Sequence, residues 1–184
     1  MRAWMLFPLL ACIFGSARAE EFTSKIIAVL DGDTVLIRRA SGLVKIRLAE
    51  IDAPEKAQAF GETSKRSLSD MVLGKQVRVA SQAVDQYGRM VAHLSVDGLD
   101  VNAEQIRRGM AWEYSNFHSN QALIALQEDA RKAPRGLWAQ DRPTPPWIWR
   151  KQHPSILPVA THTAATSPDP ACGNKKHCSE MSSC

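Results

Sequence analysis

The sequence has 184 residues, of which 45% are hydrophobic and 23% are charged. This length allows one domain with a core of its own, and the composition is ordinary for a soluble globular protein, which excludes intrinsic disorder for the chain as a whole. The net charge is only +4, so any attraction for nucleic acid must come from a local cluster of basic residues.

The first 19 residues have the pattern of a secretory signal peptide. Arg2 gives a positive start, an apolar run extends from Trp4 to Gly15, and residues 17–19 (Ala-Arg-Ala) form a small-x-small cleavage site. The run is too short for a stable membrane span, which needs about 20 apolar residues. We therefore expect export to the periplasm or the outside. Cleavage after residue 19 removes two arginines and no acidic residue, which lowers the net charge from +4 to +2.

Two other interpretations of this segment stay open. It can be a buried N-terminal helix of the domain. It can also be a lipoprotein signal, because residues 9–12 (Leu-Leu-Ala-Cys) loosely resemble a lipobox that would be processed at Cys12.

From Thr23 to Asp100 the sequence is mainly strand-like. Apolar or alternating runs predict five strands, at residues 25–30, 34–38, 44–51, 76–83 and 90–96, and glycine-containing turns separate most of them. Between the third and fourth strands, residues 61–73 have apolar side chains at helical spacing, and Gly74 is a suitable C-cap.

The sequence becomes helical after Asp100. Residues 101–106 predict a short helix that ends by Gly109, and residues 121–132 predict a second helix that Ala133-Pro134 closes. Five strands with one inserted and two following helices predict an α+β, mainly β fold. We expect a five-stranded Greek-key barrel of the OB type with three helices, covering residues 20–141.

The composition changes after Asp141. Residues 142–171 are rich in proline and predict a linker. Basic and aromatic residues at its start can extend a nucleic-acid groove, or its tryptophans can merely cap the barrel; the residues concerned are Arg142, Trp147, Trp149, Arg150 and Lys151.

Residues 172–184 form a short tail that contains Cys172, Cys178 and Cys184. In an oxidising compartment these cysteines can form one disulfide and leave one thiol. They can also bind Zn²⁺ together with His177 or His162, or the tail can be disordered.

Acidic and basic side chains recur where predicted strands end. Asp31 and Asp33 follow the first strand, Asp52 and Glu55 follow the third, and each group taken alone is explained by an ordinary turn. Together they predict convergence, because the first three strands are neighbours in a meander. Converging carboxylates repel one another unless a hard divalent cation such as Ca²⁺ binds them, and nearby arginines such as Arg47 would bind phosphate oxygens. This combination is suited to phosphoryl transfer.

The ordered set of motifs resembles the staphylococcal nuclease family. The set comprises Asp31-Gly32-Asp33-Thr34, Ile46-Arg47-Leu48, Ile51-Asp52-Ala53-Pro54-Glu55, Asp85-x-Tyr87-Gly88-Arg89, Val101-Asn102 and Gly109-Met110-Ala111. The resemblance covers residues 23–138, and the order and spacing make it specific although each piece is weak. The cysteine tail also resembles a module appended to some bacterial nucleases of this family.

The resemblance implies a calcium site. Asp33 and Asp52 would bind one Ca²⁺ directly, and the backbone carbonyl of Ala53 would help them. Asp31 would support these ligands without touching the ion. The family prototype has threonine at the position of Ala53, but only the carbonyl is needed, so we expect metal binding to survive.

The resemblance also implies the reacting groups. Arg47 and Arg89 would bind the phosphate and stabilise its charge, and Glu55 would act as general base or orient the attacking water. Substrate-contacting aromatic residues would be Tyr87, Trp112 and Tyr114. The reaction would be in-line attack on phosphorus with loss of the 5′-oxygen, leaving 3′-phosphate ends.

Physical considerations limit the substrate. Metal and arginines contact phosphate, which carries no sequence information, and an aromatic groove on an OB barrel favours single strands. We therefore expect little sequence specificity and a preference for single strands. Together with the resemblance, this predicts a calcium-dependent nuclease that cuts DNA and RNA, and we expect it to be a monomer. Gln86 replaces a lysine of the prototype and the basic loop at residues 56–60 is shorter, and both changes are expected to weaken substrate affinity.

Two other functional hypotheses stay open. The chain can be a non-catalytic OB module that holds single-stranded nucleic acid, although such relatives usually lack the acidic and arginine residues present here. It can also act as a surface interaction protein through its proline-rich linker and cysteine tail, which is compatible with nuclease activity.

Overall fold

Residues 20–115 and 120–154 are described by the computed structural model of the protein. The strands are β1 (Glu21–Val29), β2 (Thr34–Arg39), β3 (Gly42–Leu48), β4 (Ile51–Asp52), β5 (Gln76–Val84), β6 (Met90–Val96), β7 (Leu99–Asp100) and β8 (Trp112–Glu113). The helices are α1 (Gly61–Val72), α2 (Val101–Arg107), α3 (Gln121–Lys132) and α4 (Pro146–Gln152), with a short 3₁₀ helix at Gly136–Ala139.

Five of the strands form a closed barrel. They are hydrogen-bonded in the order β3-β2-β1-β5-β6, and β3 then pairs with β6. That last pairing is parallel and aligns Ile46 with Met90 and Leu48 with Ala92, whereas the other four are antiparallel. The predicted five-stranded barrel of the OB type is therefore confirmed.

The barrel is filled by the apolar residues whose alternation predicted the strands. Ile26, Ile37, Ile46 and Leu94 are each at most 1% exposed. One face of each of α1, α2 and α3 closes the barrel with a further set of buried apolar residues, which comprises Leu68, Met71, Val72, Val101, Ile106 and Leu123. Burial of such side chains contributes roughly 1.5–3 kcal/mol each to folding.

The helix starts follow from local capping. Asp100 precedes α2 and accepts a hydrogen bond from the backbone N–H of Ala103 at 3.0 Å, and Asn120 accepts one from that of Leu123 at 3.3 Å. These bonds satisfy N–H groups that have no partner within a helix. The three predicted helices are present.

A fourth helix was not predicted. α4 lies in the segment whose proline content predicted a linker, and it follows Pro145 and begins at Pro146. Proline is well suited to the first helical position because its fixed φ matches the helix and the missing N–H would be unpaired there. Pro146 is buried, so this segment packs on the domain and corrects the helix number from three to four.

Asn102 connects α2 with the chain segment that leads into β4. Its side chain is 1% exposed and accepts a hydrogen bond from the backbone N–H of Leu94. Its amide also donates to the carbonyls of Ala49 and Ala92, at 3.0 and 3.3 Å. A buried amide with its partners satisfied fixes the position of the backbone that follows Ala49.

Several sequence predictions lie outside the described residues. These are the signal peptide at 1–19, the linker beyond Pro154, and the cysteine tail at 172–184 with its zinc or disulfide alternatives. In the two described ranges, no helix has the length and apolar character needed to cross a membrane.

Candidate active site

Nine of the ten predicted site residues line one open pocket of about 860 Å³ at one end of the barrel. They are Asp31, Asp33, Arg47, Asp52, Ala53, Glu55, Tyr87, Arg89 and Tyr114. The tenth, Trp112, is not among the residues that line the pocket. The convergence of strand ends expected from the sequence is thus present.

The loop between β1 and β2 carries two of the carboxylates. Asp31 accepts a hydrogen bond from the backbone N–H of Asp33 at 3.2 Å, which folds the loop on itself. Gln105 of α2 donates to the carbonyl of Gly32 at 2.7 Å and holds the loop from behind. A Cβ on Gly32 would overlap the Ser64 hydroxyl, so only glycine fits this close approach.

Asp52 is the most deeply buried of the carboxylates. It lies in β4 opposite Trp112 of β8 and is 1% exposed. The neighbouring Ala53 donates its backbone N–H to Asp33 Oδ2 at 3.0 Å, and this hydrogen bond joins the two acidic loops. The two predicted metal ligands therefore belong to one hydrogen-bonded unit.

Arg47 lies against both of these carboxylates. It is paired with Thr34 in the β2–β3 register. Its Nη2 is 3.3 Å from Asp52 Oδ1 and 3.7 Å from Asp33 Oδ2. Its Nη1 donates to its neighbour's carbonyl, that of Leu48, at 3.0 Å, which fixes the guanidinium at the pocket wall.

Crowding of acidic groups changes their protonation. Burial, and then the charge of Asp33, raises the pKa of Asp31 to about 7. Burial also raises the pKa of Asp52, although hydrogen bonds from Arg150 oppose the rise. Such upward shifts are the expected response of carboxylates that share a buried site.

The donor chemistry of this cluster fits a hard divalent cation. All its acidic donors are carboxylate oxygens, which Ca²⁺ and Mg²⁺ prefer. Within residues 20–115 and 120–154, no group of three or more His, Cys, Asp or Glu side chains is already arranged to hold a metal ion. The oxygens of Asp52 instead accept hydrogen bonds from Arg47 and Arg150.

Glu55 lies in the loop that follows β4 and faces the same pocket. Its backbone N–H donates to Gln58 Oε1 at 3.1 Å, which fixes the loop. Its carboxylate is 41% exposed and lies 2.8 Å from Arg150 Nη1. A carboxylate at the mouth of the pocket is accessible to water, as a general base must be.

The turn between β5 and β6 provides a further part of the pocket lining. Asp85 accepts a hydrogen bond from Arg89 Nε at 2.7 Å and others from the backbone N–H groups of Tyr87 and Arg89. The Arg89 guanidinium is 5.4 Å from the centre of the Tyr87 ring, and Tyr87 is 73% exposed. Asp85 therefore orients Arg89 and leaves the Tyr87 ring open to solvent.

The predicted aromatic residues have different positions. Tyr114 lines the pocket and stacks on Trp147 of α4, with ring centres 5.3 Å apart. Trp112 is only 7% exposed and packs edge-on against Trp138 and Trp147. Trp112 thus packs beneath other rings and is not among the lining residues, and the substrate contact predicted for it stays a prediction.

Arg150 was not assigned to this site from the sequence, where it was only one of several basic residues after Asp141. Its guanidinium donates to both oxygens of Asp52, at 3.2 and 2.8 Å, and to Glu55 at 2.8 Å. The one local signal for the helix that carries it is the proline at the first helical position, Pro146.

Comparisons with known proteins identify the family. A family model described as staphylococcal nuclease homologue matches residues 45–140. An endonuclease of Haemophilus influenzae described as uncharacterized is 38% identical over 145 residues, which cover 78% of this chain and 82% of the relative. A second such endonuclease, from Escherichia coli O157:H7, is 40% identical over 78% of this chain and 95% of its own length.

A protein named micrococcal nuclease, from Shigella flexneri, is 32% identical over 142 residues, which cover 71% of this chain and 82% of the relative. The region matched by the family model begins within β3 and includes Arg47 and all later residues of the pocket up to Tyr114. These matches confirm the predicted family and the predicted class of enzyme: the chain belongs to the staphylococcal nuclease family.

Proposed function

We propose that this protein is a calcium-dependent nuclease that hydrolyses DNA and RNA with little sequence specificity, prefers single strands and leaves 3′-phosphate ends. The observation that carries the proposal is the contact of Arg47 with the carboxylates of both Asp33 and Asp52, at 3.7 and 3.3 Å, in a pocket that Glu55 and Arg89 also line. The names of the relatives, endonuclease and micrococcal nuclease, support the same reaction class.

Asp33, Asp52 and the carbonyl of Ala53 would hold the calcium ion. The ion, when bound, supplies positive charge that stabilises the phosphoryl oxygens as negative charge develops on them. The chemistry of the donors supports calcium, because carboxylate and carbonyl oxygens are its preferred ligands. The upward pKa shifts of Asp31 and Asp52 are a second argument, because acidic groups that are buried close together in one site favour a bound cation.

The arginines would bind the phosphodiester. Arg47 and Arg89 both line the pocket, and their planar guanidinium groups can bind phosphate oxygens with two parallel hydrogen bonds. Each is held by protein partners, Arg47 by Leu48 and Arg89 by Asp85. Donors fixed in advance stabilise developing charge without reorganisation at the moment of reaction.

Glu55 would accept the proton of the attacking water. The water oxygen forms a bond to phosphorus, its proton passes to the Glu55 carboxylate, and the bond from phosphorus to the 5′-oxygen breaks. The departing 5′-alkoxide takes a proton from solvent, so the products are a 3′-phosphate and a 5′-hydroxyl. A positioned general base contributes typically 10²–10⁴ in rate.

The walls of the pocket support a preference for single strands. Tyr87 is exposed beside Arg89, and Tyr114 presents a ring that stacks on Trp147. Bases can stack on such rings only when they are unpaired, and stacking of this kind contributes about 1–3 kcal/mol per base. Neither the groups that bind phosphate nor the aromatic ring faces distinguish one base from another.

Export and a monomeric state are also proposed. The apolar run and cleavage pattern of residues 1–19 support export to the periplasm or the outside. The pairing of β3 with β6 supports a monomer, because it leaves none of the five barrel strands with an open edge for a second copy.

The test is hydrolysis of 5′-labelled single-stranded DNA, and of RNA with the same sequence, in calcium or in excess chelator. We expect cutting of both substrates in calcium only, with product ends that a 3′-phosphatase converts to hydroxyls. Arg47→Met should lower the rate by about 10²–10³, the usual cost of losing one such donor. Arg38→Met on neighbouring strand β2 is exposed and serves as the matched control.

Chelator-resistant cutting, or 5′-phosphate products, would contradict the proposal. Binding of DNA by the wild-type protein without any cutting would favour the alternative, a non-catalytic module that holds single strands.

A further inference from the structure

We propose that Arg150, carried on α4, is a third substrate-binding arginine of this pocket, held by Asp52 and Glu55 until a divalent cation replaces it there. The inference rests on the proposed function. The observation that supports it is the position of the Arg150 guanidinium, which donates hydrogen bonds to both oxygens of Asp52 and to one oxygen of Glu55, all within 3.2 Å.

The position of Arg150 is fixed by the packing of α4. Trp147, one turn earlier, stacks on Tyr114 at 5.3 Å and lies edge-on to Trp112 at 5.7 Å. Gln58 donates a hydrogen bond to the carbonyl of Thr144 just before the helix. These contacts join α4 to the pocket wall and to the loop of Glu55, so the guanidinium is directed into the pocket by the fold.

The contact of Arg150 with Asp52 occupies the oxygens that a cation would need. The Asp52 side chain is 2% exposed, and its remaining partner is Arg47 at 3.3 Å. A divalent cation at Asp52 adds positive charge beside the guanidinium and competes for the same oxygen lone pairs. Binding of the cation therefore weakens the hold on Arg150.

The same contact conflicts with the role proposed for Glu55. Arg150 Nη1 lies 2.8 Å from Glu55 Oε1, and a lone pair that accepts this hydrogen bond is not available to an attacking water. A reactive site thus requires Arg150 to leave Glu55. Its side chain is 44% exposed, so the guanidinium can turn toward the open pocket without unpacking the helix.

A released Arg150 is placed to bind substrate. The pocket that it enters is also lined by Arg47 and Arg89, which are proposed to bind the phosphodiester. Arginine is the side chain best suited to this exchange, because one planar fork fits a carboxylate and a phosphate equally. Arg150 therefore exchanges a protein anion for the anion of the substrate.

The test compares Arg150→Met with wild type in two binding measurements. Calorimetric titration of calcium into the metal-free protein should show about tenfold tighter binding by Arg150→Met, because the competing cation is gone; coupling between sites of this kind is typically 5–150-fold. Fluorescence anisotropy with a cleavage-resistant phosphorothioate single strand, in saturating calcium, should show about tenfold weaker binding, a typical loss for one charged contact.

Two further variants make the comparison specific. Lys132→Met removes the same charge from the exposed end of α3, outside the pocket, and should change neither affinity. Arg150→Lys keeps the charge without the planar fork and should give intermediate values in both titrations. Thermal melting of each metal-free protein establishes that the variants are folded.

Weaker or unchanged calcium binding by Arg150→Met would overturn the proposal, because it would make the ion pair a support for Asp52. Unchanged affinity for the single strand would overturn it as well. A wild-type protein that binds no calcium would instead refute the proposed function, so the two failures are distinguishable.

Discussion

The carboxylate of Asp33 accepts a hydrogen bond from the backbone N–H of Ala53 at 3.0 Å. This contact joins the loop after β1 to the segment after β4, and it places the two predicted calcium ligands, Asp33 and Asp52, side by side. The arrangement is maintained by the protein itself, since Gln105 also holds the first loop through Gly32. A cation would therefore enter a site whose ligand loops are already fixed.

Calcium should stabilise the fold, and Asp52→Asn should remove most of this effect. A ligand at 100 times its dissociation constant stabilises the folded state by about 2.7 kcal/mol, and asparagine keeps the shape of Asp52 but loses the charge that binds the ion. Urea unfolding with and without calcium measures the difference. Asp97→Asn, in a turn with φ +51° that asparagine tolerates, is the control. Full stabilisation of Asp52→Asn by calcium would refute Asp52 as a ligand.

Asn102→Ala should lower the free energy of unfolding by about 2–4 kcal/mol, because it leaves the N–H of Leu94 and the carbonyl of Ala49 without their buried partner. Equilibrium urea unfolding checks the value. The exposed Gln86→Ala should change stability by less than about 0.5 kcal/mol. A comparably small effect of Asn102→Ala would show that these hydrogen bonds are replaced by water.

Glu104→Gln should lower stability at neutral pH by about 1 kcal/mol and leave it nearly unchanged in acid. Hydrogen bonds from Arg107, opposed by burial and assisted by Arg108, lower the pKa of Glu104 below its usual 4.5. A lowered folded-state pKa means that the contribution is complete above about pH 4.5 and is lost as the pH falls through the folded pKa.

Urea unfolding of wild type and Glu104→Gln at pH 7 and at pH 3 tests whether the stabilising contribution of Glu104 is lost in acid. The gap between the two proteins should narrow in acid, whereas exposed Glu128→Gln, whose carboxylate pairs with Arg131, should give little difference at either pH. A gap that is constant with pH would assign the effect of Glu104 to packing.

The strands and three of the helices could be predicted because their patterns are local. Alternating apolar residues such as Val44, Ile46 and Leu48 indicate a half-buried strand whatever the tertiary structure around it. Asp100 and Asn120 indicate helix starts, because each side chain accepts a hydrogen bond from the backbone N–H three residues later. The convergence of Asp31, Asp33, Asp52 and Glu55 could also be predicted, because these residues follow strands that are neighbours in the sheet.

The contribution of α4 could not be predicted in the same way. A proline-rich composition predicts a linker. Pro146 nevertheless begins a helix, because Trp147 packs against Tyr114 and Trp112. These partners are distant in sequence, as are Arg150 and Asp52. The ring partners of Trp112 are also distant in sequence, and family resemblance does not reveal that Trp138 and Trp147 pack against its ring.

Asp85→Asn should lower kcat for single-stranded DNA about tenfold while calcium affinity stays unchanged. Asp85 accepts a hydrogen bond from Arg89 Nε at 2.7 Å, so its charge orients the guanidinium. Steady-state kinetics and calcium titration together check the prediction, with exposed Asp70→Asn of α1 as control. Wild-type kcat in Asp85→Asn would show that Arg89 is oriented by the substrate alone.

Glu55→Gln gives the most direct test of the central claim, that this pocket cuts phosphodiester bonds with Glu55 as the base. Single-turnover cutting of single-stranded DNA in saturating calcium should fall by about 10²–10⁴ in Glu55→Gln, whose amide cannot accept the proton, while calcium titration still shows a bound ion. Glu62→Gln, at the exposed start of α1, should cut like wild type. Cutting by Glu55→Gln at the wild-type rate would contradict the account.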